Sequence, residues 1–217
     1  TGAAWASGGN MGTGRYILAG AGTQTAGLGF GGYAGAIKAE TEEYNGSAWS
    51  EQNDLNTGRY ALGGMGTQTA ALAFGGQTNT NLNNSEEYNG TSWTEGNNLN
   101  TARGELASAG NSPQTASLVF GGTTSSAPDN PGITNASEEY DGTSWSEVTD
   151  FPSTLTFAAS SGIQTDALIF LGDTGPDYGV QTFGYDGTSW SSRPNMATAG
   201  GNTEGCGTSS AALAASG

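Results

Sequence analysis

Three arginines recur at a fixed spacing and could act together on a ligand. Arg15, Arg59 and Arg103 are each 44 residues from the next, and each stands just before a short apolar segment. Guanidinium groups that converge on one face can bind a carboxylate or sulfate through charge-assisted hydrogen bonds. The other interpretation is that each arginine pairs with a glutamate of its own or the adjacent repeat as part of the framework. The sequence leaves both interpretations open.

Acidic pairs recur with the same spacing and are the other candidates for chemistry. They stand at Glu42-Glu43, Glu86-Glu87 and Glu138-Glu139. Glycoside hydrolysis needs two carboxylates that face one bond, whereas residues in phase with a repeat are spread around the molecule. The chain contains no histidine, so a Ser-His nucleophile is excluded. We therefore predict a protein that is not an enzyme and that has no cofactor and no metal site.

The charge of the chain limits its partners. There are 20 acidic and 5 basic residues among 217, which gives a net charge of −15. Such a chain repels the phosphates of nucleic acids and anionic lipid surfaces, so neither is expected as a partner. The sequence also lacks an apolar run long enough to span a bilayer. A protein or glycan ligand is therefore the expected partner.

Five tryptophans divide the chain into repeats. Trp5, Trp49, Trp93, Trp145 and Trp190 are spaced 44, 44, 52 and 45 residues apart. A fixed period of this size indicates a repeat architecture. Each repeat has two short apolar segments, then a tyrosine segment and a tryptophan segment joined by Asn-Gly or Asp-Gly. These dipeptides favour a type I′ hairpin turn with two central residues of positive φ, so four antiparallel strands per repeat are predicted.

The repeats resemble the kelch motif. The motif residues are the double glycines Gly31-Gly32, Gly75-Gly76 and Gly121-Gly122, the tyrosines Tyr44, Tyr88, Tyr140 and Tyr185, and the five tryptophans. The resemblance covers essentially the whole chain and implies an all-β, five-bladed β-propeller with four-stranded antiparallel blades, as one domain over residues 1–217. The tyrosines and tryptophans are expected to be structural and to lie between blades. The Ala, Gly and Ser residues of the first strands are expected to line a narrow central channel.

The two ends of the chain affect how the ring closes. The sequence begins after a third-strand position and ends after a second-strand segment. We predict that the N-terminal strand around Trp5 closes the propeller by joining the fifth blade, which then lacks one strand. That gap could be filled by a partner or a neighbouring copy, giving self-assembly. The alternative is that the missing strand lies outside this sequence.

Loop variation indicates where a ligand would bind. The loop between the second and third strands differs most between repeats, over residues 33–40, 77–84, 123–135 and 174–180. Phrases such as L-N-T-x-R and T-Q-T-A-x-L-x-F-G-G also resemble kelch-like repeats of marine bacteriophage virion and tail-fibre proteins. That resemblance implies an extracellular or virion-borne recognition module that binds glycan or protein through its loop face. The alternative is a structural unit that assembles into a fibre or decorates a particle. Sequons at Asn45, Asn83, Asn89 and Asn135 leave glycosylation open.

Overall fold

The structure is a computed structural model that describes residues 7–126, 132–170, 172–173, 179–200 and 203–216. Within these ranges the chain forms β-strands, turns and loops, and none of the residues is helical. No helix long and apolar enough to cross a membrane is therefore found among the described residues.

Four of the repeats each form a four-stranded antiparallel blade whose strands are hydrogen-bonded in chain order. Blade 1 contains β1 (Ala19–Thr23), β2 (Ala26–Phe30), β3 (Thr41–Tyr44) and β4 (Trp49–Glu51). Blade 2 contains β5 (Gly63–Thr67), β6 (Ala70–Phe74), β7 (Ser85–Tyr88) and β8 (Trp93–Glu95). Blade 3 contains β9 (Ala107–Ser108), β10 (Ser117–Phe120), β11 (Ser137–Tyr140) and β12 (Trp145–Glu147). Blade 4 contains β13 (Ala159–Ile163), β14 (Asp166–Phe170), β15 (Thr182–Tyr185) and β16 (Trp190–Arg193).

The fifth repeat forms only a hairpin, so the prediction of five four-stranded blades is wrong. Its strands β17 (Thr203–Thr208) and β18 (Ala211–Ser216) pair with each other and with no third strand among the described residues. The hairpin docks on blade 4, where Ser161 Oγ donates to the Thr208 carbonyl at 3.3 Å and Ser209 Oγ to Asp166 at 2.6 Å. This repeat supplies first- and second-strand segments alone, and a sheet cannot grow beyond the strands available to it.

Closure by an N-terminal strand is likewise not found. Trp5 and the rest of residues 1–6 lie outside the described part of the chain. From residue 7 onwards, the N-terminal segment runs along blade 1, where the Gly12 N–H donates to Glu42 at 2.7 Å. This segment is the equivalent of the blade-to-blade connections further along the chain, and β17–β18 remains a two-stranded sheet.

The first strand of each repeat lies at the centre of the ring, as predicted. These strands line a central cavity of about 560 Å³ together with the residues that lead into them. Small residues are required there because neighbouring blades approach closely. A Cβ placed on Gly64 of β5 would lie 2.8 Å from the Ala19 Cβ of β1.

The turn between the third and fourth strands differs from the predicted type I′ hairpin. Tyr44 pairs directly with Trp49, so four residues form the connection. Only Gly46 among them has a positive φ, of 90°. The Asn45 side chain accepts hydrogen bonds from the N–H groups of Ser47 and Ala48, both at 3.0 Å. Asn-Gly therefore acts here through side-chain capping of the turn and not through positive φ at both residues.

Aromatic side chains fill the space between consecutive blades. Trp93 of blade 2 lies edge-on to Phe30 of blade 1, with ring centroids 4.9 Å apart, and Trp93 Nε1 donates to Thr41 at 2.9 Å. Trp145 and Trp190 contact Phe74 and Phe120 in the same way, at 5.1 and 5.4 Å. Each of these three tryptophans thus packs its own blade against the preceding one.

Two further contacts repeat at each interface. The tyrosine of one blade donates to the second glutamate of the preceding blade. These pairs are Tyr88 with Glu43 at 3.2 Å, Tyr140 with Glu87 at 2.5 Å and Tyr185 with Glu139 at 2.9 Å. In addition, Gln68 Nε2 donates to the carbonyls of Gly27 and Tyr44, and Gln114 and Gln164 repeat the contact one and two blades later.

The double glycine allows the next blade to come close. Gly75 and Gly76 have φ of 60° and 95°, a region that favours glycine. The Gly76 N–H donates to the Arg103 carbonyl of the next repeat at 2.9 Å. A Cβ on Gly75 would lie 2.7 Å from the same oxygen. The glycines are therefore needed for both the conformation and the approach of the next blade.

Candidate functional site

The predicted binding arginines are buried inside their own blades. The Arg59 side chain is fully buried, and its Nη2 pairs with Glu86. Its other donors reach the carbonyls of Thr57 at 3.2 Å, Gly75 at 3.2 Å and Asn84 at 2.9 Å. A guanidinium with every group engaged in this way does not face a ligand.

Arg103 and Arg15 occupy equivalent places. Arg103 pairs with Glu138, and burial lowers the pKa of the Arg103 guanidinium while Glu138 acts in the opposite direction. Arg15 Nη2 lies 3.4 Å from Glu42 Oε1, with both side chains buried. The three arginines are thus framework residues paired with glutamates of their own blades, and they do not form a carboxylate cradle at the channel.

The glutamate of each pair also organises the connection that precedes its blade. Glu86 accepts hydrogen bonds from the backbone N–H groups of Asn56 at 2.7 Å and Thr57 at 3.2 Å. Glu138 does the same for Asn100 and Thr101. This explains the repeated phrase L-N-T-x-R, because its N–H groups and its arginine converge on one buried carboxylate.

Blade 4 replaces this polar cluster by apolar residues. Leu155 stands at the arginine position and Phe183 at the glutamate position, and both belong to one apolar cluster. Pro152 stands at the position of Asn56 and has no N–H that would need an acceptor. All three changes occur together, as expected if a buried ion pair can be exchanged only as a unit.

The entrance to the channel is formed by strained residues at one position of each repeat. Ile17, Ala61, Glu105 and Phe157 have φ between 49° and 55°, although none is glycine. Such a conformation costs about 1–3 kcal/mol and often occurs at functional sites. The four residues stand two positions after the arginine or its leucine replacement, and all of them line the central cavity.

Backbone hydrogen bonds join these four residues in a row that runs from blade 1 to blade 4. The N–H of Ala61 donates to the Ile17 carbonyl at 3.0 Å, that of Glu105 to Ala61 at 2.9 Å and that of Phe157 to Glu105 at 3.0 Å. We call the four residues the mouth ring. The bonds use only backbone atoms, so the framework fixes the conformation of the ring but not its side chains.

The side chains of the mouth ring differ in every repeat: isoleucine, alanine, glutamate and phenylalanine. Among the described residues that line the cavity, Glu105 is the one ionisable residue. Burial raises the pKa of the Glu105 carboxyl, and the charge of Asp173 on the loop of blade 4 raises it further. The mouth therefore combines apolar groups with a desolvated carboxylate.

A run of tyrosines lies next to the mouth on blades 1 and 2. Tyr16 forms a bridge with Tyr33, and their ring centroids are 5.7 Å apart. Tyr33 in turn lies 5.8 Å from Tyr60 of blade 2. Tyr16 is 57% exposed, so an aromatic surface faces solvent here. Gly104, Thr123, Thr156 and Asp173 occupy the equivalent positions on blades 3 and 4.

At the other end of the channel, hydrogen bonds join the hairpin of the first two strands of blade 3 to that of blade 4 and to the β17–β18 hairpin. Asn111 at the tip of the blade 3 hairpin donates its N–H to the Gly162 carbonyl of blade 4 at 3.0 Å. Its side-chain amide donates to the Gly207 carbonyl of the β17–β18 hairpin. The mouth ring and the tyrosine surface lie at the opposite end of the channel from these contacts.

The asparagines of the four sequons have structural contacts. Asn83 and Asn135 donate their side-chain amides to the carbonyls of Leu99 at 3.2 Å and Phe151 at 3.1 Å. The side-chain oxygens of Asn45 and Asn89 cap the exposed turns that they begin.

Comparison with known proteins shows the fold. No family model matches the chain, and no curated protein matches it. Solved structures do match. The one titled "Structure of YjhT", a propeller, has a TM-score of 0.72 and 13% sequence identity over 89% of this chain and 70% of that chain. The fold is a β-propeller. At this identity the likeness shows nothing of function, and the resemblance to kelch repeats and phage fibre proteins stays a prediction.

The sequence-based choice of site residues overlooked the mouth ring. In the sequence this position is one of several that differ between the repeats, since Ile17, Ala61 and Glu105 stand between an arginine and a double glycine that these three repeats share. The arginines attracted attention because they repeat. In this repeat protein the repeated arginines are framework residues, and one position that differs between the repeats lies at the entrance to the channel.

Proposed function

We propose that this chain is a non-catalytic recognition module of a virion, fibre or cell surface, which binds a protein or glycan through its loop face. The observation that carries the proposal is the mouth ring. One strained backbone position, linked from each blade to the next by a backbone hydrogen bond, holds four different side chains at the entrance to the channel. Variation on a rigid scaffold is the pattern of a binding surface.

The tyrosine surface supports the same function. Tyr16, Tyr33 and Tyr60 present rings and hydroxyl groups on elements held by the two complete blades beneath them. Tyrosine provides a large contact area and a hydrogen-bonding group at a low cost in side-chain entropy, for protein and glycan ligands alike. An extracellular or virion location is part of the proposal and is supported by the phage-like repeat phrases.

Binding can be tested with matched variants of the two ends of the propeller. The fluorescently labelled protein, Tyr16→Ala, Tyr60→Ala and Thr188→Ala would be applied to a glycan array and to intact cells with and without protease treatment. Thr188 is exposed on the turn end, away from the loop face, and serves as the control. We expect binding to be reduced in both tyrosine variants and retained in Thr188→Ala. Binding that is lost equally in all three variants, or absent everywhere, would contradict the proposal.

A second function, assembly into a larger structure, is favoured by residues that are exposed on blade 1 and on the β17–β18 hairpin. Gln24 of blade 1 is exposed, whereas Gln68, Gln114 and Gln164 each bind the preceding blade. On the hairpin, Leu213 is 54% exposed. Edges of this kind invite pairing with another chain. Sedimentation over a concentration series, with Leu213→Ser as the variant, would test it. A monomer at every concentration would exclude self-assembly.

A further inference from the structure

The mouth of the channel has a definite chemical character. Ile17 and Phe157 contribute apolar groups, and Ala61 contributes little bulk. Among the described residues of the cavity lining, Glu105 is the one charged group. Its carboxylate has no hydrogen bond or ion pair with any described residue. A carboxylate that is partly desolvated and lacks a counter-ion favours a cation from outside.

The chain does not supply that cation itself. Of its five basic residues, Arg15, Arg59 and Arg103 are buried in their blades and Lys38 pairs with Glu40 at 2.8 Å. The fifth, Arg193, is exposed at the end of the outer strand β16 of blade 4. Asp173 adds a second negative charge close to Glu105. The electrostatic field at the mouth therefore attracts cations and repels carboxylates.

The glutamate is not required by the fold. The mouth ring is joined through backbone atoms, and isoleucine, alanine and phenylalanine occupy the same strained conformation in the other repeats. A partly buried charge at a position where apolar residues satisfy the framework costs stability and yields no structural contact. Such a residue is typical of a site that is used for binding.

We propose that the mouth of the channel binds a primary ammonium group carried on an apolar stem, with the Glu105 carboxylate as its counter-ion. This inference rests on the proposed binding function and names its ligand chemistry. The ammonium donates to the carboxylate, and the stem lies against the small and apolar residues of the channel. An ammonium is chosen over a guanidinium because its charge is compact and its unbranched stem can enter a channel lined mainly by small residues.

Two sources of such a group can be told apart by the probes. The lysine peptide Gly-Gly-Lys-Gly-Gly, capped at both ends, represents a protein partner, and its acetyl-lysine form removes only the charge. n-Hexylammonium represents a free amine, and hexanoate is its control of opposite charge. Each would be titrated calorimetrically into the whole chain and into the variants Glu105→Gln and Glu95→Gln. Glu95 is exposed on β8, so its variant removes the same charge far from the channel.

The expected result is binding of at least one ammonium probe, with no binding of hexanoate or the acetylated peptide. Glu105→Gln should weaken binding at least about tenfold, as expected for the loss of a charged hydrogen bond. Glu95→Gln should change affinity by less than about twofold, because distant charges are screened. Tighter binding of the peptide than of n-hexylammonium identifies a protein source, and the reverse order identifies a free amine.

Other results would overturn the inference. The inference is overturned if hexanoate binds as tightly as n-hexylammonium. It is also overturned if Glu105→Gln and Glu95→Gln change the affinity equally, or if neither ammonium probe binds. Failure of the ammonium site can be distinguished from failure of the proposed recognition function. A glycan or cell ligand that depends on Tyr16 but not on Glu105 would retain recognition and exclude the ammonium site. If an ammonium probe binds but no glycan or cell ligand is found, the ammonium site is retained and the proposed recognition function is excluded.

Discussion

Blades 1 and 2 have nearly the same sequence but different surroundings. Residues 15–32 and 59–76 are identical at 13 of 18 positions, and both repeats then carry the phrase E-E-Y-N-G. Blade 2 packs on blade 1, and its Tyr88 is fully buried. Blade 1 has no preceding blade among the described residues, and its Tyr44 is only half-buried. The same phrase therefore gives a core residue in one blade and a partly exposed one in the other.

The difference shows where the stability of a repeat resides. Within a blade, the strand pairing is the same for both repeats. Between blades, Gln68, Tyr88 and Trp93 need carbonyl, carboxylate and aromatic partners on blade 1. Since stability in a repeat protein is a sum of repeat and interface terms, matched substitutions in blades 1 and 2 should separate the two terms.

The largest effect is expected from the buried ion pair of blade 2. Arg59→Leu leaves Glu86 buried without its cation, and breaking such a pair costs about 3–5 kcal/mol of unfolding free energy. Arg15→Leu in blade 1 should cost only about 1–3 kcal/mol, because the Arg15–Glu42 distance is longer and two guanidinium nitrogens of Arg15 have no partner. Urea denaturation of both variants measures the costs. Equal costs would show that the pair acts alike in both blades.

A double variant tests whether the ion pair of blade 2 can be replaced by the apolar residues that blade 4 has at the same positions. Arg59→Leu/Glu86→Phe reproduces Leu155 and Phe183, so it should recover at least about half of the loss. Full recovery is not expected, because the Asn56 N–H then lacks its acceptor, whereas blade 4 has Pro152 at that position. A double variant less stable than Arg59→Leu alone would contradict the exchange of the cluster as a unit.

The next effect concerns the interface tryptophan. Trp93→Ala removes a side chain that is 6% exposed and contacts Phe30 and Tyr88. The cavity should cost about 3–5 kcal/mol. Trp49→Ala in blade 1 should cost less, since Trp49 is half-buried and its described ring contact is with Tyr44 of its own blade. The melting temperatures of both variants are measured in the same buffer. A Trp93→Ala melting temperature within error of the parent's would show that Trp93 does not stabilise the interface between blades 1 and 2.

A smaller effect is expected from the tyrosine hydroxyl at the same interface. Tyr88→Phe loses the hydrogen bond to Glu43 and should cost about 1–2 kcal/mol, whereas Tyr44→Phe should be nearly neutral. Burial, with Glu43, raises the pKa of Tyr88 to about 12. An unfolded tyrosine ionises near pH 10, so stability from this group is complete below that pH and is lost as the pH rises through the higher value. Chemical denaturation of parent and variant at alkaline pH should therefore show the Tyr88→Phe deficit shrinking.

The smallest effect should have the opposite sign and comes from the mouth ring. The pKa of Glu105 is raised in the folded protein, so its ionised form opposes folding near neutral pH. Glu105→Gln should therefore be slightly more stable than the parent at neutral pH. The difference should vanish as the pH falls below the ordinary carboxyl range, where both states are protonated. A destabilised Glu105→Gln at neutral pH would show that the carboxylate has a structural partner.

Much of the blade could be predicted from the sequence. Strand segments, the antiparallel order and the small residues of the channel follow from spacing and residue size, because each is fixed by a few neighbours along the chain. The turn at Asn45 was predicted in place but not in type. Loop length selects the turn, and Tyr44 pairs with Trp49 and not with a closer residue. Hairpin register depends on the whole blade and not on the dipeptide alone.

The number of blades was predicted wrongly for a different reason. Counting tryptophans counts repeats, but a blade requires four strands that are paired with one another. The fifth repeat supplies β17 and β18, and the described residues contain no other strand beside them. Trp5 matches the repeat phrase, yet matching a phrase does not establish which sheet a strand joins.

The sequence by itself determined the β-propeller architecture, its repeat length and the order of the strands in each blade, because the same residue types recur at a fixed spacing. Only the tertiary structure decided what the arginines do. Arg59 and a ligand-binding arginine would look alike in sequence, and burial against Glu86 distinguishes them. It also decided that Ile17, Ala61, Glu105 and Phe157 form the mouth ring. Residues 44 or more positions apart meet there only because consecutive blades pack side by side around the central cavity.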